Sequence, residues 1–190
     1  MKNILKLALI LMFITLIAAV GLALVNLKTK PIIEAYKLWQ QEQARKEVIP
    51  VAEEGVFILK DSEAEFPYYI AYVDPDTTRL VGYTFLAKGK GYSSTIETVV
   101  GVDTAGMVTG IKITFQQETP GLGARATEVK YGDEKPWFPL QFAGKLARNL
   151  AVDKDGGEIQ SITGATITSR VVTNSINEGM KKLQEKLSFR

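Results

Sequence analysis

The chain has 190 residues, 23 Lys and Arg against 21 Asp and Glu, a net charge of +2, and neither His nor Cys. Those absences exclude a His-based catalytic triad, a Cys-ligated iron–sulfur cluster, a typical zinc site and any disulfide. Charges of both signs are mixed along the chain, which leaves no basic face for nucleic acid.

Leu7 to Val25 is an apolar run broken only by Thr15. As a helix it spans roughly 28 Å, close to the hydrocarbon thickness of a bilayer. Lys2 and Lys6 precede it and favour a cytoplasmic N-terminus, against the weaker pull of Lys28 and Lys30. A cleaved signal peptide is the alternative. The run is longer than a usual signal core, so residues 1–27 are read as a retained transmembrane signal anchor. The roughly 160 residues that follow suffice for one cored domain and a linker, on the outer face of the membrane.

From Pro31 to about Val48 the pattern is helical, with Ile32, Tyr36 and Trp39 on one side. Glu42, Arg45, Lys46 and Glu47 make its far end polar, and residues 28–54 read as a stalk or a helix packed on a partner. Tyr36 and Trp39 suit either a bilayer interface or protein packing. Pro50 and Glu53-Glu54-Gly55 mark a boundary, with a domain over 55–190 beyond it. The period then changes to that of strands over Tyr68 to Val73, Leu80 to Ala87, Thr95 to Asp103 and Val108 to Gln117. Short connections between them imply antiparallel neighbours. A helix is predicted from about Phe138 to Leu150, then an exposed turn over Asp153 to Gly157. The expected class is α+β: an antiparallel sheet with packed helices, preceded by one N-terminal transmembrane helix.

Near the C-terminus, Ser161 to Ser169 is a run of small and hydroxyl residues. After Arg170, the residues Val171, Val172, Ile176, Met180, Leu183 and Leu187 recur at helical spacing. Thr168 or Ser169 suits the N-cap, and Lys181, Lys182 and Lys186 suit the negative end. Gly164 permits a tight turn. A turn of this kind before a helix N-terminus offers N–H groups to a phosphate, and the same spacing also suits a capped helix behind a polar loop. Upstream, Glu118-Thr119-Pro120-Gly121-Leu122-Gly123 carries a Pro-Gly turn signal. Taken alone it reads as a surface turn.

Thr163-Gly164-Ala165-Thr166 resembles the Ser/Thr-Gly-Ala-Thr flavinylation motif of the FMN-binding domain family. Glu118 to Gly123 resembles that family's Glu-Thr-Pro-Gly-Leu-Gly loop. Gly89 to Tyr92 with Thr95 to Asp103, and Trp137 with Gln141 to Lys145, are similar to further family segments. The family includes the G subunit of Rnf electron-transport complexes and the C subunit of sodium-pumping NADH:quinone reductases. Gln160 and Gln116 stand where the family usually carries Asp and His. The resemblance implies FMN held covalently through a phosphoester on Thr166, with Thr168 as second candidate for the attachment. It also implies one pocket built from Thr163, Gly164, Ala165 and Thr168 together with Glu118, Thr119, Gly121, Leu122 and Gly123. It implies no catalytic residue of the chain's own and no metal.

The function it implies is an electron-carrying subunit of an ion-translocating ferredoxin:NAD oxidoreductase in the cytoplasmic membrane. Its partners are the other membrane subunits of the complex and a flavin transferase for maturation, and no independent turnover is expected. A C-type subunit of a sodium-translocating NADH:quinone reductase is the nearest alternative; a membrane-anchored assembly or scaffold subunit without flavin is another.

Overall fold

The computed structural model describes residues 2–61, 66–130 and 132–188. The chain divides into two units, Met1–Gln40 and Gln41–Arg190. The first is almost entirely helical, part of α1 (Lys2–Val48), and its apolar stretch is long enough to cross a membrane. Leu7, Leu11, Ile14 and Val25 are exposed, as a lipid-facing surface requires. The polar interruption at Thr15 is satisfied within the helix, its hydroxyl donating to the carbonyls of Leu11 and Met12, both at 3.0 Å. Thr29 does the same with Val25 at 3.0 Å. Internal pairing of this kind is what a hydrocarbon environment demands. Pro31 sits inside the helix, where it withholds one backbone N–H from the ladder.

The second unit begins with the last turns of α1 and is built on a five-stranded antiparallel sheet. The strands are β1 (Val56–Lys60), β2 (Tyr68–Tyr72), β3 (Leu80–Lys90), β4 (Thr95–Asp103) and β5 (Val108–Phe115), in spatial order β1-β2-β3-β4-β5. The α+β class expected from the sequence is the one observed. β3 extends through Lys90, three residues beyond the predicted end, and pairs with β4 from Gly82↔Asp103 to Lys90↔Thr95. β1 was not among the predicted strands. It is only five residues long and lies at the sheet's edge, and the charged turn before it is the stronger signal.

One sheet face packs on α3 (Thr166–Ser188). Phe85, Ala87, Val100 and Val102 meet Val172, Ile176, Met180 and Leu183 in one buried cluster, the helical spacing matching the alternation of the strands. The other face receives the end of α1. Ala44, Val48, Ile49 and Ala52 bury against Ala71 and Val99, and the Thr109 hydroxyl donates to the Val48 carbonyl at 2.6 Å. Gly101 makes this approach possible, since a Cβ there would lie 2.6 Å from that carbonyl oxygen.

Two expectations are corrected. The helix predicted from Phe138 to Leu150 is only α2 (Trp137–Leu140). Gly144 turns the chain with φ +77°, and the following residues run beside β5 instead. Val108 N–H donates to the Lys145 carbonyl at 2.8 Å and Gly144 N–H to the Val108 carbonyl at 2.8 Å. Phe138, Phe142, Ala147 and Leu150 are buried because this irregular segment closes the core's edge. The second correction concerns α3, which starts at Thr166, so neither Thr168 nor Ser169 caps it. Ser169 N–H already bonds the Ala165 carbonyl at 3.1 Å, so both hydroxyls lie inside the first turn and face inward.

Candidate functional site

Three segments far apart in sequence converge at the N-terminus of α3: the β3–β4 turn at Gly91–Ser94, the loop after β5, and residues 161–168. The turn closes with Gly91 N–H donating to the Ser94 carbonyl at 2.7 Å. In the second segment, Gln116 Oε1 accepts the Glu118 N–H at 2.8 Å, and Gly121 turns the chain at φ +74°. Leu122 and Ala124 N–H groups then return to the Thr119 carbonyl.

Glu118 joins all three. Only 5% exposed, its Oε1 accepts N–H groups of Ser93 and Ser94 at 3.0 Å each and the Ser94 hydroxyl at 3.2 Å. Its Oε2 accepts the Tyr92 N–H at 3.1 Å and the Thr168 hydroxyl at 2.7 Å. Burial acts to raise the pKa of this carboxyl. The Thr168 hydroxyl and the Ser93, Ser94 and Tyr92 N–H groups outweigh it, and the pKa lies below the ordinary glutamate value. The group is therefore an anion at neutral pH.

The segment before α3 is held from outside. Asp153 accepts both the backbone N–H and the hydroxyl of Ser161, and those bonds, the hydroxyl's first, keep its pKa low. Gln160 exchanges two bonds with the Gln141 side chain, at 2.8 and 3.2 Å. Arg170 grips Asp155 through Nε and Nη2, both at 2.7 Å. Gly164, at φ +77°, then delivers the chain into the helix, with the Ala165 N–H bonded to the Ile162 carbonyl at 2.9 Å.

Between these segments lies a cavity of about 450 Å³, lined by Tyr92, Glu118, Thr119, Leu122, Gly123, Gly164, Ala165, Thr166, Ile167 and Thr168. That volume falls within the range of roughly 300–1,000 Å³ typical of cofactor pockets. Eight of the ten cofactor-binding residues predicted from the sequence thus share one wall. Thr163 is exposed and Gly121 has open space around it; they shape the two turns without lining the cavity.

The floor of the cavity suits a phosphate. The backbone N–H groups of Thr166, Ile167 and Thr168 have no acceptor among the described residues, as expected of a first helical turn without a side-chain cap. α3 is 23 residues long, so these donors stand at the positive end of a full helix dipole. Thr166 is half-buried and its hydroxyl has no hydrogen bond among the described residues, whereas the Thr168 hydroxyl, in a residue 2% exposed, is committed to Glu118. The sequence reading missed Tyr92 and Ile167 as lining residues, and the role of the 92–94 N–H groups. The Gly89-Lys90-Gly91 turn was the available signal for them. A separate groove of about 360 Å³ is lined by Val48, Ile111, Ile113 and Leu140 together with the charged residues Glu47, Lys112, Glu134 and Lys135.

Residues 91–181 match the FMN-binding domain family, and residues 1–48 match the RnfG N-terminal region. The G subunit of the Na(+)-translocating ferredoxin:NAD(+) oxidoreductase complex of Acetobacterium woodii is 36% identical, over 96% of this chain and 93% of that protein. The chain belongs to the G-subunit family of ion-translocating oxidoreductase complexes. Another member, the G subunit of the ion-translocating oxidoreductase complex of Photorhabdus laumondii, is 32% identical over 85% of this chain and 81% of its own. Among solved structures, the C subunit of the Na(+)-translocating NADH-quinone reductase of Parabacteroides distasonis superposes with a TM-score of 0.51 at 22% identity, covering 75% of this chain and 91% of that one. That likeness is one of fold.

Proposed function

We propose that this chain is the electron-carrying G subunit of an Rnf-type ion-translocating ferredoxin:NAD oxidoreductase, and that its FMN is joined to Thr166 through a phosphoester. The observation that carries the reading is the contrast between two hydroxyls. Thr166 lines the cavity with its oxygen unengaged, at the start of α3, while Thr168 is buried against Glu118. The free N–H groups of Thr166, Ile167 and Thr168 would hold the phosphate, and Thr119 and Leu122 would lie against the ribityl chain or ring. Bound FMN supplies reversible electron transfer through an isoalloxazine ring that a phosphate tether leaves unmodified.

Attachment joins Thr166 Oγ1 to the flavin phosphorus, breaks that phosphorus's bond to the nucleotide half of a flavin dinucleotide, and releases the hydroxyl proton to solvent. A flavin transferase catalyses the exchange, with the dinucleotide as donor and the nucleoside monophosphate as leaving group. The tether keeps the cofactor from being lost outside the cytoplasm. Lys2 and Lys6 ahead of the apolar run support a cytoplasmic N-terminus, a single membrane pass and a flavin domain over 55–190 on the outer face. The remaining membrane subunits of the complex supply and accept the electrons, and the chain relays without turnover of its own.

The test is in-gel flavin fluorescence of the denatured full-length chain, expressed together with a flavin transferase. A fluorescent wild-type band that is lost in Thr166→Ala supports the assignment; a label retained in that variant sinks it.

A further inference from the structure

The bond between Glu118 and Thr168 does more than fill a buried site. We propose that these two residues are a positioning pair that fixes the first turn of α3 so that the Thr166 hydroxyl faces the cavity. The proposal rests on the covalent reading of Thr166.

The geometry supports it from three sides. First, among the described residues the Glu118 bond is the only side-chain hydrogen bond made by Thr166, Ile167 or Thr168, and their backbone N–H groups are free. Helix ends without caps fray, and rotation of this turn would carry Thr166 away from the cavity. Second, Glu118 is itself immobilised, since three N–H groups and one hydroxyl of the 92–94 turn hold its carboxylate. Thr168 is thus tied to a rigid hairpin connection and not to a loose loop. Third, the space around the carboxylate is built from glycine. A Cβ on Gly91 would lie 2.6 Å from Glu118 Oε1, and one on Gly123 would lie 2.6 Å from Thr168 Oγ1 and 2.9 Å from Glu118 Oε2. At Gly123 the room of a side chain is taken up by this bond, and at Gly91 by the other oxygen of the same carboxylate.

A neutral amide cannot replace the carboxylate. Gln at position 118 has one accepting oxygen, and its NH₂ group would confront the Tyr92 N–H, donor against donor. Valine at 168 keeps the shape of threonine and removes the hydroxyl; serine keeps the hydroxyl and removes the methyl.

The experiment measures the initial rate of covalent flavin labelling of the full-length chain in membranes, at limiting flavin transferase, with protease resistance of the same samples as the folding control. Wild type and Thr168→Ser should label at similar rates. Thr168→Val should label about tenfold more slowly, the effect of one lost hydrogen bond of ordinary strength, and Glu118→Gln at least as slowly, because it also sets an NH₂ group against the Tyr92 N–H. The double variant should be no slower than the worse single, because both changes remove the same bond. The proposal is overturned if Thr168→Val labels at the wild-type rate, or if Thr168→Ser falls as far as Thr168→Val. Loss of protease resistance in both Thr168→Val and Glu118→Gln overturns it too, because the pair then holds the fold and not the threonine. An unlabelled wild-type chain is a different failure: it removes the covalent reading itself, and this proposal with it.

Discussion

Gly179 allows the backbone of α3 to rest on the ring of Phe85: a Cβ at that position would lie 2.3 Å from Phe85 Cε2 and 2.7 Å from Cδ2. Both residues belong to the layer between helix and sheet, and Phe85 is fully buried at the centre of β3. The contact sets how closely α3 approaches the sheet, and the helix start carries the cavity wall.

Gly179→Ala therefore opposes two effects. Alanine favours the helix by up to about 1 kcal/mol. The overlap with this buried ring costs about 1–3 kcal/mol. The overlap should win, and the variant should unfold at lower denaturant concentration than wild type when the detergent-solubilised full chain is followed by circular dichroism. An unchanged or raised midpoint would show that Phe85 can swing aside without cost.

Much of this architecture was legible in the sequence because its signals are local. Alternating β-branched residues and short turns mark β2 to β5, and Val172, Ile176, Met180 and Leu183 mark the buried stripe of α3. The segment from Phe138 to Leu150 misled because its apolar residues are buried by an irregular path whose partners, Gly106 and Val108, lie some forty residues upstream. The cavity residues were legible through the two motifs, and their connection was not. Whether Thr168 is a cap, an attachment point or a tie depends on Glu118, fifty positions away. The 92–94 donors are backbone groups, marked in the sequence only by the glycine turn just before them.

Acid stability should report the same carboxylate. The folded-state pKa of Glu118 lies below its ordinary value, so its contribution is present above the unfolded value of about 4.3 and is lost as pH falls through the folded one. Thermal midpoints of wild type should therefore drop as pH is lowered below about 4, and Glu118→Gln should start lower at neutral pH and show a shallower acid slope. Part of the slope should remain in the variant, because the Asp153 carboxylate, bonded by Ser161, also has a lowered pKa. Parallel slopes for the two proteins would show that Glu118 does not titrate differently on folding.

The Arg170–Asp155 pair is well formed but lies at the surface, both side chains more than two-fifths exposed. Exposed ion pairs contribute little and are screened by salt. Asp155→Ala should leave the unfolding midpoint nearly unchanged at moderate salt. Asp153→Ala differs, since it frees both the N–H and the hydroxyl of Ser161, and the turn ahead of Thr166 loses its outer anchor. Flavin labelling should slow in Asp153→Ala and stay near wild type in Asp155→Ala. Equal rates in the two variants would remove Asp153 from any role in presenting the segment.

Two glycines of one loop should fail for different reasons. Gly121 stands in open space at φ +74°, so Gly121→Ala costs only backbone strain, roughly 1–2 kcal/mol, and touches no side chain of the site. Gly123 has no left-handed φ, but a Cβ there would press on Thr168 Oγ1, on Glu118 Cβ at 2.7 Å and on Glu118 Oε2. Gly123→Ala should cost about 1–3 kcal/mol through that overlap, and it should also pull the Thr168 hydroxyl off the carboxylate. The two variants can therefore be similar in stability and yet separate in labelling, with Gly121→Ala close to wild type and Gly123→Ala as slow as Thr168→Val. Equal labelling in both would mean that the loop around Gly123 yields while the Glu118–Thr168 bond stays intact.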